Sequence, residues 1–181
     1  RRARPNMVYG RLLANPTLAA DSIAVFDTNT HKNYITGSTY ALGAAALQGG
    51  ITAMGKQKHG ETVLALSPRF LLVPADLQWT AEILIKSTQR IISTAGEGTY
   101  NPLLNREIQI VIEPRLGALG FVDPFNGTTY TGVATHWYLA ARPGRTVQLA
   151  FLRGSGRVPQ IRPYMLTEGK WGVGWDIKYD I

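Results

Sequence analysis

The segment of residues 67–77, which reads Ser-Pro-Arg-Phe-Leu-Leu-Val-Pro-Ala-Asp-Leu, constrains the fold more than any other part of the chain. A proline has no backbone N–H to donate, so Pro68 and Pro74 are excluded from the interior of a helix or of a central strand. The apolar residues between them can form an extended stretch of about five residues, and Pro74 suits the start of a following helix. The sequence therefore predicts a short buried strand that leads directly into a helix.

The segment before this strand has the spacing of an amphipathic helix. Ser38 or Thr39 is a suitable N-cap, and the helix is expected to run to about Gln57. Apolar residues recur at intervals of three to five and define the face expected to be buried: Leu42, Ala46, Leu47, Ile51 and Met54. Glycines at positions 43, 49, 50 and 55 weaken this helix by up to about 1 kcal/mol each relative to alanine, so tertiary packing must hold it.

The segment after the strand predicts a second helix and then a loop. The helix is expected over residues 75 to about 87, with an apolar face formed by Leu77, Ala81, Leu84 and Ile85. Residues 88–106 are polar, contain glycine and have no steady period, which predicts a long surface loop. Residues 7–14 predict the end of another helix, which is halted before Pro16.

Beyond Glu107 the apolar period changes to two. Ile108, Ile110 and Ile112 alternate with polar or outward positions and predict a strand that ends at Pro114. Asn126-Gly127 is a strong turn dipeptide within residues 121–131. Further short strands are predicted at residues 22–26, 137–140, 147–152, 160–165 and 172–179. Helices early and strands late indicate an α+β fold.

Composition excludes several classes of protein. A chain of 181 residues that is 45% hydrophobic can bury a core as one domain or as a domain with an extension. The sequence has no apolar run of about 18 residues and no signal-peptide pattern, so no membrane partner is expected. The absence of cysteine removes disulfide scaffolds, thiolate nucleophiles and cysteine-ligated zinc. From its first residues, Arg-Arg-Ala-Arg-Pro, and its last, the chain is expected to be a processed or partly visible piece of a longer polypeptide.

The formal net charge of +7 allows two interpretations. The 19 lysines and arginines are spread along the chain, which is typical of a solvated surface with ordinary ion pairs. They are denser only at Arg1, Arg2 and Arg4, and more loosely at Arg153, Arg157 and Arg162, which leaves open a patch that faces DNA or another subunit. No zinc finger and no aromatic pattern of an RNA-binding sheet is present.

The candidate metal ligands are better explained as turn residues. His59 and Glu61 have the His-x-Glu spacing of zinc deaminases, but the cysteine pair that such a site requires is absent, so a turn is expected. Asp27 and His31 could join His59 or His136 around a metal, but they lie in turn-rich sequence, where a hydrogen-bonded turn is the expected structure. No metal site and no cofactor is therefore predicted.

No catalytic constellation is predicted, so the chain is not expected to be an enzyme. Gly154-Ser155-Gly156 is too short for a nucleophile elbow and is expected to form a hairpin turn. Glu107 and Glu113 are expected on the solvent side of a strand with nothing to raise the pKa of either. A hydrolase would need a convergent nucleophile and base, which the sequence does not provide. All four tryptophans are expected in the core, although each is large enough to anchor an interface: Trp79, Trp137, Trp171 and Trp175.

The order of several short motifs is similar to that of a known family. The motifs are Leu-Leu-Ala-Asn-Pro-Thr-Leu-Ala at residues 12–19, Phe26, His31, the Ala-rich helix that ends with Ala53-Met54 and Gln57, the proline-bounded strand, Asn101-Pro102-Leu103, Ile112-Glu113-Pro114-Arg115-Leu116 and Trp137-Tyr138-Leu139. Over roughly residues 8–180 they resemble landmarks of the major head (capsid) proteins of Mu-like tailed phages, which adopt the Hong Kong 97 capsid fold.

The resemblance implies the C-terminal portion of that α+β fold. Residues 1–20 would be the end of the spine helix of the peripheral domain, residues 21–145 the axial domain, and residues 146–181 strands that return to the peripheral domain. The implied function is a structural subunit of an icosahedral shell that encloses double-stranded DNA and assembles into pentamers and hexamers. Implied partners are further copies of the chain, the portal, decoration or scaffold proteins, and DNA bound through non-specific charge contacts. The implied location is the virion capsid, with assembly in the host cytoplasm.

The expected subunit interface lies in the predicted loop of residues 88–106, which would reach the centre of the rings. The interface residues are expected to be Thr94, Ala95, Gly96, Glu97, Gly98 and Thr99, with the turn at Asn126 and Gly127 as a second candidate. A basic DNA-binding or DNA-packaging accessory protein is the alternative function, favoured by the net charge.

Overall fold

The computed structural model describes residues 3–91, 98–123, 127–143, 160–165 and 173–178. The chain divides into two compact units, Arg1–Thr146 and Val147–Ile181. The helices are α1 (Ala3–Ala14), α2 (Ala44–Gly55) and α3 (Gln78–Lys86), and short 3-10 turns cover Ser38–Tyr40, Ala75–Leu77 and Pro114–Leu116. The strands are β1 (Lys58–His59), β2 (Thr62–Val63), β3 (Phe70–Val73), β4 (Gln89–Ile91), β5 (Gly98–Tyr100), β6 (Gln109–Ile112), β7 (Phe121–Val122), β8 (Thr129–Tyr130), β9 (Tyr138–Ala140), β10 (Gln160–Met165) and β11 (Val173–Lys178). This mixture of helices and strands is consistent with the expected α+β class.

The proline-bounded strand lies at the centre of the first unit. β3 pairs with β6 in parallel and with β9 in antiparallel orientation, which gives the strand order β6-β3-β9. Leu71 and Val73 are completely buried in the main hydrophobic cluster. The prediction of a short buried strand between Pro68 and Pro74 is therefore confirmed.

Helix α2 is shorter at its N-terminus than the sequence predicts. Ser38 begins a separate 3-10 turn and does not cap the helix, and Gly43, in extended conformation, is the residue that precedes the first helical turn. Glycine is well accepted at the N-cap position, so Gly43 takes the place that the sequence analysis assigned to Ser38 or Thr39. The predicted buried face is confirmed at Leu42, Ala46, Leu47 and Ile51, whereas Met54 is half-buried.

Helix α3 follows β3 as predicted, after one 3-10 turn. Pro74 has an extended ψ of 167° and directly precedes that turn. Ala81 and Ile85 are buried in the main cluster, and Leu77 and Leu84 pack against it. The apolar face assigned from the sequence is therefore the face that contacts the core.

The prediction of a long loop over residues 88–106 is wrong. β4 and β5 pair in antiparallel fashion, with Gln89 opposite Tyr100 and Ile91 opposite Gly98. Beyond this hairpin, Asn101 and Leu103 are buried. The sequence analysis missed this structure because the segment is held by the buried side chain of Asn101. An asparagine is polar, so its residue type alone predicts a surface loop.

The structure also tests the predictions of a helix end at residues 7–14, a strand at residues 22–26 and a strand that ends at Pro114. The helix end over residues 7–14 is confirmed by α1, but residues 22–26 form only an isolated bridge between Thr17 and Ala24. The backbone of Phe26 bonds instead to the side chain of Asn15, in both directions, at 2.7 and 3.1 Å. β6 is confirmed as a strand, but its alternation is incomplete, because Ile108 just before it is buried while Ile112 is exposed.

The hairpin β7–β8 fits the predicted turn, and Gly127 has a positive φ of 68°. In the second unit β10 and β11 form an antiparallel pair from Gln160–Lys178 to Met165–Val173, which confirms both predicted strands. The strand predicted at residues 147–152 and the turn at residues 154–156 lie outside the described residues. Within the parts of the chain that are described, no helix is long and apolar enough to cross a membrane.

Candidate subunit interface

Three of the residues expected at the subunit interface are described by the structure, and they lie in or beside two different hairpins. Gly98 and Thr99 lie in β5, where they pair with Ile91 and Arg90. Gly127 is exposed, and its N–H donates to the carbonyl of Asp123 at 2.9 Å. Thr94, Ala95, Gly96, Glu97 and Asn126 lie outside the described residues.

Helix α3 carries an exposed tryptophan. Trp79 is 71% exposed and Ile83, one helical turn later, is 67% exposed. Residues four apart on a helix are neighbours on its surface, so these two side chains form one apolar patch. The prediction that Trp79 lies in the core is wrong, because the core-facing side of α3 is already occupied by Ala81 and Ile85.

Charged residues extend this patch at both ends. Asp76, in the 3-10 turn just before α3, precedes Trp79 by three residues, and Lys86 follows Ile83 by three, so the four are spaced along one side of the segment formed by this turn and α3. We call Asp76, Trp79, Ile83 and Lys86 the α3 stripe. All four are exposed.

Glu82 lies beside the stripe and holds the side chain of Lys86. The two groups are 3.2 Å apart, and the amide of Gln78 also donates to Glu82 at 3.3 Å. The hydrogen bond from Lys86 is the main cause that lowers the pKa of Glu82. Lys86 nevertheless remains accessible, because its side chain is 67% exposed.

The turn before β7 carries a second exposed apolar residue. Leu119 is 95% exposed, between Gly117 and Gly120. The backbone here is packed so closely that a side-chain carbon on Gly120 would overlap the carbonyl of Tyr130. Gly120 also has a positive φ of 61°, which favours glycine. Leu119 is therefore presented on a tightly fixed turn.

Helix α1 is attached to the segment around β8 through aromatic contacts. Tyr9 lies under the guanidinium of Arg115 at 5.6 Å, and Gly10 leaves room for the ring of Tyr130.

Glu113 accepts hydrogen bonds from both the backbone N–H and the guanidinium of Arg115, and its side chain is only 14% exposed. The prediction that Glu113 lies on the solvent side is wrong, because it precedes the 3-10 turn of Pro114–Leu116 and caps it. Burial, followed by the charge of Glu113, raises the pKa of Tyr9.

A basic cleft opens at the end of the central sheet where β3 and β6 begin. Its cavity of about 250 Å³ is lined by Ser67, Pro68, Arg69, Arg106, Glu107, Ile108 and Arg142. We call this the arginine cleft. Glu107 bonds Arg69, and this contact is the main cause that lowers the pKa of Glu107. Three guanidinium groups face one carboxylate, so the cleft is positively charged and suits an anion.

A second basic cleft lies between the turn at Thr30 and the end of α2. Its cavity of about 580 Å³ is lined by Thr30, His31, Lys32, Ala53, Lys56, Gln57, Lys58 and Gly60. We call it the lysine cleft. The amide of Gln57 donates to the carbonyl of Lys32 at 2.9 Å and connects its two sides.

Asp27 and His31, two of the residues considered as metal ligands, serve as turn residues. His31 contacts the carbonyl of Ala24 at 2.9 Å and the carboxylate of Asp21 at 2.7 Å. The Asp21 contact raises the pKa of His31 and, in return, lowers the pKa of Asp21. Asp27 accepts hydrogen bonds from the N–H groups of the turn that follows it, as expected for a hydrogen-bonded turn. Among the described residues, no group of three or more possible ligands could hold a metal ion.

Comparison with known proteins gives one family. A family model described as "Phage capsid protein" matches residues 1–181, which is the whole of the printed sequence. No curated protein and no solved structure matches the chain.

Proposed function

Because the chain belongs to the phage capsid protein family, it is a structural protein of the virion capsid, and we propose that it is the repeating subunit of an icosahedral shell. The family is structural and not enzymatic, and it implies assembly with further copies and with other capsid components. In the proposed shell, copies of the chain form pentamers and hexamers that enclose double-stranded DNA. Assembly would begin in the host cytoplasm.

We further propose the Hong Kong 97 capsid fold of Mu-like tailed phages for this chain. The order of the motifs described in the sequence analysis is the observation that carries this proposal, and the family match over residues 1–181 supports the coarser statement that the chain is a phage capsid protein. The proline-bounded strand and Asn101, two of the landmarks of the resemblance, supply the central strand and a buried anchor of the first unit. Residues 1–20 and 146–181 would belong to the peripheral domain, and residues 21–145 to the axial domain.

The shell function is tested by electron microscopy of the expressed full-length protein. We expect closed shells of uniform diameter, because head-to-tail contacts that close on rotation produce rings. Mass measurement of subassemblies should give multiples of five and six subunits. A protein that stays monomeric at high concentration, and that forms no closed particle with the other head components, would contradict the proposal.

We propose that residues 94–99, with the Asn126-Gly127 turn as a second contact, lie at the ring centres. Support comes from the paired strands β4 and β5, which flank this segment in the sequence, and from its polar, glycine-containing composition. A deletion of residues 94–96 leaves the paired residues of both strands intact. We expect this variant to keep the thermal stability of the native chain but to yield few normal shells. Normal shells from the variant would remove the segment from the ring centre.

The arginine cleft supports contact with packaged DNA and keeps the accessory DNA-binding function as a second candidate. Arginine binds phosphate oxygens with two parallel hydrogen bonds, and Arg69, Arg106 and Arg142 line one concave site. Contact of this kind is non-specific and falls steeply with salt. A shell subunit and an accessory protein differ in self-assembly, which the electron microscopy above measures separately.

A further inference from the structure

The α3 stripe is an apolar patch with one charge of each sign at its ends. Trp79 and Ile83 expose about two thirds of their surface or more, while the opposite face of the same helix is in the core. Tryptophan is enriched at the energetically dominant positions of protein interfaces. An exposed tryptophan beside an exposed isoleucine therefore indicates a contact with another molecule.

The order of the four residues makes the stripe complementary to itself. The pairs Trp79–Ile83 and Asp76–Lys86 are both centred on position 81 of the helix. When two copies of α3 lie antiparallel across a two-fold axis, Trp79 meets Ile83 of the second copy. Asp76 then lies opposite Lys86 of the second copy at both ends of the contact.

A parallel arrangement is disfavoured by the same charges. It would place Asp76 against Asp76 and Lys86 against Lys86, and like charges across an interface are repulsive. The charges of the stripe therefore favour the antiparallel orientation of two copies.

We propose that the α3 stripe is a two-fold contact between two copies of this chain. A two-fold contact uses the same patch on both subunits, whereas the contacts within a ring of five or six use two different patches. The stripe would thus join subunits in a way that ring formation alone does not provide. As an element of a shell this inference rests on the proposed function, but pairing of two copies is measurable without shells.

The test uses charge reversal with rescue, measured as the association constant of the purified chain by sedimentation velocity. The single variants Asp76→Lys and Lys86→Asp place like charges opposite each other, and each should weaken association about tenfold. The double variant Asp76→Lys/Lys86→Asp restores opposite charges in the antiparallel arrangement and should return to within about threefold of the native chain. Trp79→Ala/Ile83→Ala should weaken association by more than either reversal.

Two controls separate association from folding. Glu82→Gln removes the contact with Lys86 inside the helix but keeps the stripe, so association should be unchanged. Thermal melts of the charge variants should show small losses that the double variant does not rescue, since both reversals oppose the helix dipole. Failure of the double variant to restore association, or native association of Trp79→Ala/Ile83→Ala, would overturn the two-fold contact.

The outcomes also distinguish this inference from the shell function. Normal shells from the native chain and from Trp79→Ala/Ile83→Ala would reject the α3 contact and leave the shell function standing. If the double variant restores association but the native chain forms no shells, the result would support the two-fold contact and count against the proposed shell function.

Discussion

Asn101 shows how one polar side chain fixes the position of a long segment. Its amide donates to the carbonyls of Leu84 and Ser87 at 2.8 and 2.9 Å, and its side-chain oxygen accepts from the N–H of Leu103 at 3.1 Å. These carbonyls lie at the end of α3, where a helix leaves its last acceptors without partners. Asn101 therefore joins the end of the helix to the turn that brings Leu103 into the core.

The substitution Asn101→Asp tests this role, because it replaces only the side-chain amide with a carboxylate. The new carboxylate would face two carbonyl oxygens without a proton to donate, in a completely buried position. We expect a loss of about 3 kcal/mol in the free energy of unfolding, measured by urea denaturation. Asn105→Asp is the matched control, because Asn105 is exposed, and it should be nearly neutral. Equal effects of the two exchanges would show that the amide of Asn101 is not needed as a donor.

His31 makes stability depend on pH through its contact with Asp21. The pKa of His31 is raised, so the stabilising contribution is present below the ordinary value of 6.5 and is lost as pH rises through the raised pKa. The pKa of Asp21 is lowered, so its contribution is present above 3.8 and is lost as pH falls through the lowered pKa.

We therefore compare the native chain with His31→Gln by thermal unfolding. The difference in Tm should be largest between about pH 4.5 and pH 6 and should shrink as pH rises through the raised pKa of His31, because the imidazole then becomes neutral. A difference that stays constant from pH 5 to pH 9 would contradict the coupling of His31 to Asp21.

At the scale of elements, adjacent glycines of α2 have different surroundings. A side-chain carbon on Gly49 would meet no atom within 4 Å. One on Gly50 would lie 3.1 Å from the ring of Trp137 and 3.2 Å from Leu139. Trp137 is itself fixed, because its Nε1 donates to the carbonyl of Tyr40 at 2.9 Å. Gly50 is thus the position at which α2 and the segment of β9 approach closely.

This difference predicts opposite effects for the same exchange. Gly49→Ala should stabilise the chain by about 0.5–1 kcal/mol through helix propensity. Gly50→Ala should destabilise it by about 1 kcal/mol, since the gain in propensity is outweighed by the displacement of Trp137. Chemical denaturation of the two variants measures both changes in the free energy of unfolding. Stabilisation by both exchanges would show that α2 and Trp137 are not in close contact.

The elements that sequence predicted correctly are those whose signal is local. Pro68 and Pro74 bound β3, and the spacing of Leu47 and Ile51 identifies the buried side of α2. The structure of residues 98–106 depends on tertiary contacts, such as those of Asn101, which local spacing does not encode. The exposure of Trp79 did have a signal, because position 79 lies off the apolar face that Ala81 and Ile85 define.

At the scale of the whole molecule, six of the 19 lysines and arginines line two clefts with different chemistry. The arginine cleft and the lysine cleft each contain three basic side chains. The sequence showed the basic residues but not their grouping, because Arg69, Arg106 and Arg142 are far apart along the chain. The sheet brings them together, since Arg69 precedes β3, Arg106 precedes β6 and Arg142 follows β9.

We expect the arginine cleft to make the larger contribution to binding of double-stranded DNA. We compare two double variants that lower the net charge equally, Arg106→Gln/Arg142→Gln and Lys32→Gln/Lys58→Gln. A difference in DNA binding between them shows that the location of the charges matters and not only their number. The arginine variant should reduce the slope of log K against log salt by about one to two, and the lysine variant by less. Equal slopes for both variants, measured by fluorescence anisotropy over a salt series, would assign binding to total charge alone.

The central strand β3 receives both of its partners from later parts of the chain. Phe70 lies opposite Gln109 on one side and opposite Ala140 on the other. Each pairing must close a loop of tens of residues before it gains a hydrogen bond, and such non-local pairing slows folding. During synthesis the sheet cannot be completed until residue 140 has left the ribosome. A nascent chain therefore lacks its central sheet until residue 140 is available, so the surfaces that depend on this sheet cannot meet a neighbouring copy in their finished form before that point.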